Sequence, residues 1–513
     1  MSEHVSRKRR RKRRRLNARG KLLVGILSVI LIAIIAAIVA FAVRFGDPER
    51  RAAAGVKAAE SIDGKQNKKG GNMTAEEIEA AKAQRLERMN SFKAPTVNLT
   101  DDTAGQSAAK GHALLAAQYD YDAAIEAVKA DKSLSQTEAD QYIAEYETAK
   151  AGLVRQDIGT ITHIFFHILA VDTTRCFNEK LCGSQAGGYN SLMTTIPEFK
   201  AIMQSMYDRG YVLVSLHDMA HMEKQSDGSE KMVEGDIMLP PGKKAFVMSE
   251  DDVCYYEYMK GQGFAEKMVI GDNGRPTTLY TDAAGNQSTG PYDMVPILDE
   301  FIDEHPDFSY HGHKACLVFT GYNGALGYRT DETYLPENAV AHKVETGHDV
   351  EAERREAVEV MKALVADGYD LGSHSWGHRD MGAGTFEWFK GDCDKWERNV
   401  NSLIREATGQ GTDILIYPKG ADIGDWKSYT ANGKPECLQR FNYLYDLGFR
   451  YFCNVDNSKY WVQKGEKYLR QGRRALDGWV MWLDLSQGYD RLSDLYDVSA
   501  VFDKARPTPV PSY

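Results

Sequence analysis

The chain has 513 residues with 73 Asp and Glu against 63 Lys and Arg, so its formal net charge is −10 at neutral pH. Residues 1–21 hold eleven Lys and Arg and one Glu, a net +10, which leaves −20 on residues 44–513. A region this acidic receives no long-range electrostatic help in binding polyanions. The charge therefore argues against nucleic acid as a partner and favours neutral ligands.

The N-terminus combines a basic run with a long apolar one. "RKRRRKRRR" covers residues 7–15, and "LLVGILSVILIAIIAAIVAFAV" covers 22–43 without a charge. About 20 apolar residues let a helix cross the hydrocarbon core, and flanking cations stay in the cytoplasm. We therefore expect a cytoplasmic tail (1–21), a single transmembrane helix (22–43) in the plasma membrane, and an extracellular remainder. A signal peptide cleaved near "AFA" (40–42) is the alternative, but its apolar region would usually be only about 7–15 residues long.

The cysteines point to no metal knuckle. All seven lie between residues 176 and 453, and no CxxC pair occurs. An extracellular location permits disulfides, and Cys176 and Cys182 are close enough in sequence for a local bridge. The sequence alone leaves that bridge open.

The first part of the extracellular region lacks a core. Residues 44–105 are rich in Ala, Lys, Glu and Gly and predict a stalk or linker. Residues 106–156 contain two amphipathic stretches with apolar residues three and four apart, which predict a helical hairpin. Ser135 followed by Glu138 indicates a capping box in this hairpin.

From residue 157 to 485, apolar strands alternate with amphipathic helices. The strands are predicted at 162–171, 211–216, 243–249, 314–321, 369–374, 412–418 and 449–455. Such βα units imply an α/β fold with a parallel sheet, open or closed into a barrel. Residues 486–513 are expected to form a C-terminal tail. In barrels of this kind, the reactive residues follow the carboxyl ends of the strands.

Two polar motifs lie at such strand ends. "SEDD" ends in Asp251 and Asp252, and "GSHSWGH" contains His374 and His378. Alone, each motif has a structural explanation: Asp252 can cap a helix, and paired histidines are often simply exposed or structural. Ser375 stands where an HExxH protease requires glutamate. Together, however, one carboxylate and two imidazoles form a facial triad typical of a hydrolytic metal site, with a second carboxylate free to act as a base.

On these motifs the chain resembles the NodB-homology polysaccharide deacetylases, carbohydrate esterase family 4. Their first motif ends in two aspartates, and their second is H-[ST]-x-x-H. The resemblance covers roughly residues 160–485 and implies a distorted (β/α) barrel. It implies that Asp251 is the catalytic base and that Asp252, His374 and His378 bind a divalent metal, with Zn²⁺ the default for this ligand set.

The third motif departs from the family pattern. It usually begins with an arginine that orients the base, whereas "IYPKG" (416–420) has Tyr417 in place of the arginine. The backbone N–H of Tyr417 is still expected to stabilise an oxyanion. Arg473 or Arg474, in "RQGRRALDG", are candidates for the missing cation, with Arg474 also a candidate substrate contact. The alternative is that both arginines belong to the surface or pair with carboxylates.

The family's last motif provides a histidine as general acid, but no histidine follows His378 in this chain. His167, at the end of the first apolar strand, is the candidate replacement. This placement resembles the circularly permuted poly-N-acetylglucosamine deacetylases, in which an early histidine has this role. A histidine with a purely structural role in a core strand is the alternative.

The remaining candidates concern substrate binding. Of the 121 residues between Asp252 and His374, the segment 320–349 is rich in Gly, Tyr and Asn and predicts an ordered insertion, either a substrate flap or a surface loop. Trp376 and Trp426 are candidates for stacking on sugar rings, although most tryptophans belong to cores.

The sequence therefore predicts a membrane-anchored, extracellular, metal-dependent hydrolase that removes N-acetyl groups from an extracellular or cell-wall polysaccharide. Asp251 would deprotonate the attacking water, and His167 would protonate the departing amine. Two alternatives stay open: an O-acetyl esterase that uses the same site, and a non-catalytic glycan-binding protein.

Overall fold

The computed structural model describes residues 111–430 and 435–512. The predicted tail (1–21), transmembrane helix (22–43) and stalk (44–105) lie outside these residues, as do the first five residues of the predicted hairpin. Within the described ranges, no helix combines the length and apolarity that a membrane crossing requires.

The strands belong either to one central, mostly buried sheet or to small peripheral sheets of two or three strands. In chain order they are β1 (Val154–Arg155), β2 (Thr162–His167), β3 (Tyr211–Leu213), β4 (Ala220–Lys224), β5 (Glu230–Glu234), β6 (Met238–Leu239), β7 (Lys244–Asp251), β8 (Lys267–Ile270), β9 (Pro276–Thr281), β10 (Gln287–Gly290), β11 (Cys316–Phe319), β12 (Asp370–Ser373), β13 (Ile414–Ile416), β14 (Tyr451–Val455), β15 (Val462–Lys464) and β16 (Leu469–Ala475).

Seven of these strands close into a parallel barrel, in the order β2, β7, β11, β12, β13, β14, β16 and back to β2. The eight-residue strand β7 makes closure possible because each half has a different neighbour. Its first half pairs with β3, and its second half pairs with β11. The predicted α/β barrel is therefore present, in its closed form.

The helices lie between and around the strands. They are α1 (His112–Ala117), α2 (Tyr121–Ala130), α3 (Gln136–Ala151), α4 (Thr173–Cys176), α5 (Glu179–Cys182), α6 (Gln185–Leu192), α7 (Ile196–Asp208), α8 (Leu216–Met219), α9 (Met294–Glu304), α10 (Pro336–His342), α11 (Val350–Ala366), α12 (Phe386–Trp396), α13 (Ser402–Thr408), α14 (Pro435–Asp446), α15 (Gly478–Gln487) and α16 (Val498–Val501). A π-helical segment, Glu397–Asn401, joins α12 to α13.

Side chains alternate between two apolar environments, because successive residues of a strand point to opposite faces. On β7, Phe246 and Met248 pack into the outer core beneath the helices. Ala245 and Val247 belong to the inner core, which also contains Tyr121 and Val128 of α2. The N-terminal helices thus close the barrel at the amino ends of the strands and leave the carboxyl ends for the site.

The predicted helical hairpin is wrong in one detail, because the structure has three helices in place of two. Tyr119 adopts a left-handed backbone conformation (φ 66°), which ends α1 and lets α2 begin at Tyr121. The predicted capping box is confirmed: Ser135 accepts from the Glu138 N–H, and Glu138 accepts from the Ser135 N–H.

Two other elements were not predicted. Strand β16 contains the "RQGRRA" sequence, and no strand was predicted there. The antiparallel sheet of β8, β9 and β10 lies in the long interval before β11 and was not predicted. The local bridge between Cys176 and Cys182, which the sequence left open, is not formed, since both are free thiols.

The predicted C-terminal tail is part of the folded domain. Arg506 forms an ion pair with Glu198 of α7 at 2.5 Å, and both side chains are fully buried. The same guanidinium donates to the carbonyls of Asn190 and Met193. The last residues of the chain are therefore fixed against helices α6 and α7, next to His167 in β2.

We expect Arg506→Met to lower the free energy of unfolding by about 3–5 kcal/mol, because Glu198 would keep a buried charge without its partner. Urea unfolding of the purified protein measures this loss. Arg398→Met is the matched control: its pair with Glu332 is exposed, and such pairs contribute about 1 kcal/mol or less. Equal losses in the two variants would contradict the assignment.

Candidate active site

The predicted site residues converge at the carboxyl ends of the barrel strands. His167 ends β2, Asp251 ends β7, and Asp252 follows it. His374 follows β12, and Arg473 lies in the last part of β16. These side chains border one cavity of about 1000 Å³, which also reaches the second histidine of the motif, at position 378.

Three side chains form a candidate metal-binding cluster. One ligand atom each from Asp252, His374 and His378 lies within 4.8 Å of the other two. The His378 Nε2 is 3.9 Å from Asp252 Oδ2, and the two imidazole rings have their centroids 5.1 Å apart. The sequence predicts that these residues lie together, and in the structure their ligand atoms do so.

His374 is oriented for this purpose. Its Nδ1–H donates to the carbonyl of Ile416 at 2.9 Å, so Nε2 is directed at the cluster. Metal-binding histidines usually have one nitrogen fixed in this way. Burial lowers the pKa of His374 to about 4. The imidazole is therefore neutral near pH 7, the form that has a free lone pair.

Asp252 is fixed through one of its two carboxylate oxygens. The Tyr256 hydroxyl and the Thr320 hydroxyl each donate to Oδ1 at 2.6 Å. Oδ2 is left facing His378. The alternative helix-cap role for Asp252 does not apply, because no helix begins directly after it: the next helical segment is the short 3-10 turn Glu257–Met259. Asp252 itself has a left-handed backbone (φ 61°).

The turn that holds His378 is also constrained. Asp392 of α12 accepts from the backbone N–H groups of Trp376 and Gly377, both at 2.9 Å. Ser375 and His378 have left-handed backbones (φ 59° and 49°). Non-glycine residues in this region are strained. Asp392 therefore holds the turn in a conformation that the chain would otherwise avoid.

Asp251 is not positioned as a fourth ligand. Arg473 binds both of its oxygens, at 2.7 and 2.9 Å, in a buried bidentate pair. Although burial opposes ionisation, Arg473 and the neighbouring histidines hold the pKa of Asp251 well below its usual value. Arg473, one of the two predicted cations, thus reaches the predicted base. Asp251 Oδ2 remains 3.8 Å from His374 Nε2.

A buried hydrogen-bond chain supports Arg473 inside the barrel. Arg473 donates to the Ser249 hydroxyl oxygen at 3.1 Å, and Ser249 donates to His163 Nε2 at 3.0 Å. His163 Nδ1–H donates in turn to Gln471 Oε1. Burial, together with Arg473, holds the pKa of His163 well below its usual value, which keeps the ring neutral as this pattern requires.

His167 is the register partner of Asp251 across the pairing of β2 and β7, and its side chain borders the same cavity. Its Nδ1–H donates to the Leu192 carbonyl at 3.3 Å, which leaves Nε2 free of that contact. The buried carboxyl of Asp477, at the N-terminus of α15, acts electrostatically on His167, and burial raises the pKa of Asp477 to about 6. The predicted acid therefore lines the same cavity as the predicted base.

The segment 320–349 is ordered, and its first part supports the site. Arg329 is buried and donates to the carbonyls of Cys254, Tyr255 and Asn323, which tie the segment to the loop after β7. Tyr322 borders the cavity. This part of the predicted insertion is thus a wall of the site, and not a decorative loop.

The predicted oxyanion role of Tyr417 is wrong. Its backbone N–H donates to the Cys453 carbonyl at 2.9 Å, within the pairing of β13 and β14. Its side chain is fully buried and pairs with Tyr429. Lys419, two residues later, borders the cavity.

Two predicted substrate contacts lie elsewhere. Arg474 points away from the cavity and forms an ion pair with Asp494, because adjacent residues of β16 face opposite sides. Trp426 is 74% exposed and does not border the cavity. Trp376 does lie beside the site, in a second cavity, but its indole N–H is bound to Asp331 at 2.7 Å.

The sequence reasoning missed several supporting residues: Thr320, Tyr256, Asp392, Asp477 and His163. Their motifs gave little warning, because a lone hydroxyl or carboxylate has many structural uses. Thr320 was the easiest of them to predict, since it lies near the carboxyl end of the strand predicted at 314–321.

Comparison with known proteins gives a distant likeness. No family model matches the chain, and no curated protein matches it. Among solved structures, it is similar to BA0330 of Bacillus anthracis, assigned as a polysaccharide deacetylase, with 11% identity and a TM-score of 0.30 over 61% of this chain and 64% of that one. It is also similar to the deacetylase PplD of Streptococcus pyogenes, solved with acetate, with 13% identity and a TM-score of 0.29 over 61% of this chain and 91% of that one. The chain thus spans somewhat less than two thirds of BA0330.

We expect Thr320→Val to weaken zinc binding by about 10- to 100-fold, because Asp252 would lose one of the two hydroxyls that orient it. Competition with a chromogenic chelator measures the affinity. Thr281→Val is the control, since that buried hydroxyl has no hydrogen-bond partner in the described residues and lies in β9, outside the site. An unchanged affinity in Thr320→Val would contradict the proposed ligand.

Proposed function

We propose that the protein is a metal-dependent deacetylase that hydrolyses N-acetyl groups on a glycan. The observation that supports this most directly is the pairing of two adjacent carboxylates with different environments. Asp251 is bound by Arg473, whereas Asp252 faces two histidines. A metal-dependent hydrolase with a carboxylate base needs two such environments, since one carboxylate must accept a proton while the other holds the metal.

The metal site fits the residues present. Two imidazoles and one carboxylate are the ligands that Zn²⁺ prefers in hydrolytic sites, with open positions left for water and substrate. Asp252, His374 and His378 would hold the ion. The other carboxylate oxygen of Asp252 is bound by Tyr256 and Thr320, and the other ring nitrogen of His374 is bound by the Ile416 carbonyl. When bound, a divalent ion polarises the acetyl carbonyl and acidifies the attacking water.

Asp251 is the proposed proton acceptor. Arg473 fixes the carboxylate in one orientation and keeps it ionised across the physiological pH range. Asp251 Oδ2 lies 3.8 Å from His374 Nε2. It is therefore close enough to the cluster to accept a proton from a water held there. Because a strongly acidic carboxyl is a weak base, its role depends on a water whose own acidity is increased.

His167 is the proposed proton donor to the departing amine. Its ring borders the same cavity, and the Leu192 carbonyl orients Nδ1. One proton donor and one proton acceptor in the same cavity match the two proton transfers that amide hydrolysis requires.

The location and substrate class rest on the sequence. The basic run 7–15 and the apolar run 22–43 support a single-pass anchor with the domain outside the cell. A net charge of −20 on residues 44–513 favours a glycan that is largely uncharged over its length. We therefore propose an extracellular or cell-wall polysaccharide with N-acetylated sugars.

The first test is acetate release from N-acetylglucosamine oligomers and from intact cell wall. It compares metal-free protein, zinc-loaded protein and Asp252→Ala. We expect release only with metal, and none from the variant, because the cluster would lose its only carboxylate. Release from O-acetyl esters but not amides would identify an esterase. Tight zinc binding without release from either would leave a glycan-binding role.

We expect His167→Gln to lower kcat by about 10²- to 10⁴-fold, the usual contribution of a positioned acid. The zinc content should not change, because His167 is not among the ligand atoms that cluster. Metal analysis and acetate release on the same preparation measure both quantities. His221→Gln, an exposed histidine of β4, serves as the control. A parallel loss of zinc and activity in His167→Gln would place His167 in the metal site.

A further inference from the structure

A second cavity of about 630 Å³ adjoins the first at residues 375–378, the turn that carries the proposed ligand His378 and is called here the metal-binding turn. Tyr322, His378 and Lys419 border both cavities. A ligand with one group at the cluster can therefore extend past His378 into the second cavity. For a glycan, this arrangement leaves room for a neighbouring sugar beside the one that reacts.

The walls of this cavity contain two exposed cations, Arg379 and Lys419. Within the described residues, no carboxylate oxygen lies within 4.0 Å of either cation. This contrasts with the acidic character of residues 44–513, which carry a net −20. Unpaired cations at the edge of a site are typical of anion recognition.

The acidic groups near these cations are already engaged. Asp380, in the same wall, accepts from the backbone N–H groups of Gly382 and Ala383. Asp392 acts electrostatically on Arg379 but is bound to the backbone of the metal-binding turn. The cavity thus has two free cations against one carboxylate that is turned toward its own backbone.

An aromatic surface lies beside Arg379. Trp388 of α12 is 41% exposed, and the Arg379 guanidinium lies 5.8 Å from its ring centroid. Trp376 is less available, because Lys395 lies 4.0 Å from its ring centroid and Asp331 binds its N–H. Exposed tryptophan next to cations is suited to a sugar ring with a negatively charged substituent.

We propose that this cavity is a binding subsite for a sugar that bears a carboxylate, next to the N-acetylated sugar in the same glycan. The planar guanidinium of Arg379 binds the carboxylate in a bidentate manner, Lys419 adds a second positive charge, and Trp388 packs against the ring. The proposal deepens the deacetylase function and rests on it. The net negative charge of the domain would favour a glycan with few charges overall, while this cavity would bind one acidic sugar within it.

The test compares carboxylated oligosaccharides with their methyl esters, which have the same shape without the charge. A hyaluronan tetrasaccharide supplies a uronic acid, and a peptidoglycan tetrasaccharide supplies a lactyl ether, so the two arms separate the possible sources of the carboxylate. Binding is measured by calorimetry on the metal-free protein, which does not turn over, and KM is measured on the zinc-loaded protein.

We expect at least one acid to bind about 10-fold more tightly than its ester. This gain in affinity is small for a charge-assisted hydrogen bond, because the two cations are exposed to solvent. Arg379→Gln should remove this preference, and Arg379→Lys should restore it in part. Asp380→Asn should strengthen it, because the opposing charge is removed while an acceptor oxygen remains. Arg355→Gln is the control, an exposed cation on α11 far along the chain from the cavity.

Equal affinity for acids and esters would overturn the proposal, as would identical behaviour of Arg379→Gln and Arg355→Gln. These results are separate from the outcome for catalysis. A preference for acids without acetate release from any substrate would retain the subsite and reject the deacetylase. Acetate release with no dependence on Arg379 would reject the subsite alone.

Discussion

An ionised carboxylate buried at the end of a barrel is the constraint on which this site depends. Asp251 is almost fully buried, and such a charge is tolerated only with a well-placed partner. Arg473 is that partner, and its own burial requires Ser249, His163 and further polar groups below it. The barrel interior near the carboxyl ends of β2, β7 and β16 is therefore polar. The interior near the N-terminal helices is an ordinary apolar core.

This division explains how much of the fold the sequence could predict. Strands whose side chains face the apolar half of the barrel or the outer core are hydrophobic in sequence. All seven predicted strand positions contain a strand in the structure. Strand β16 alternates arginine and glutamine inward and has no such signal. The break between α1 and α2 depends on one left-handed residue, Tyr119, which no propensity favours.

The candidate site was predictable where it depends on residue type and spacing, and less so where it depends on direction. Two adjacent aspartates and two histidines at strand ends indicate a metal site whatever their exact geometry. Choosing between Arg473 and Arg474 requires the face of β16 on which each lies, and only the register settles that. The same holds for Tyr417, whose N–H pairs with the neighbouring strand. Trp426 shows that closeness in sequence to a strand end does not place a side chain beside the cavity.

The left-handed backbones at Asp252, Ser375 and His378 have a consequence for protein engineering. Substitutions chosen for thermostability often place glycine or asparagine at such positions, since these residues adopt the left-handed region with less steric strain. Here two of the three positions are proposed ligands, and the third lies between the histidines. Heat-resistant versions of this domain are therefore better sought in the outer helices, because a more relaxed turn would be a poorer chelate.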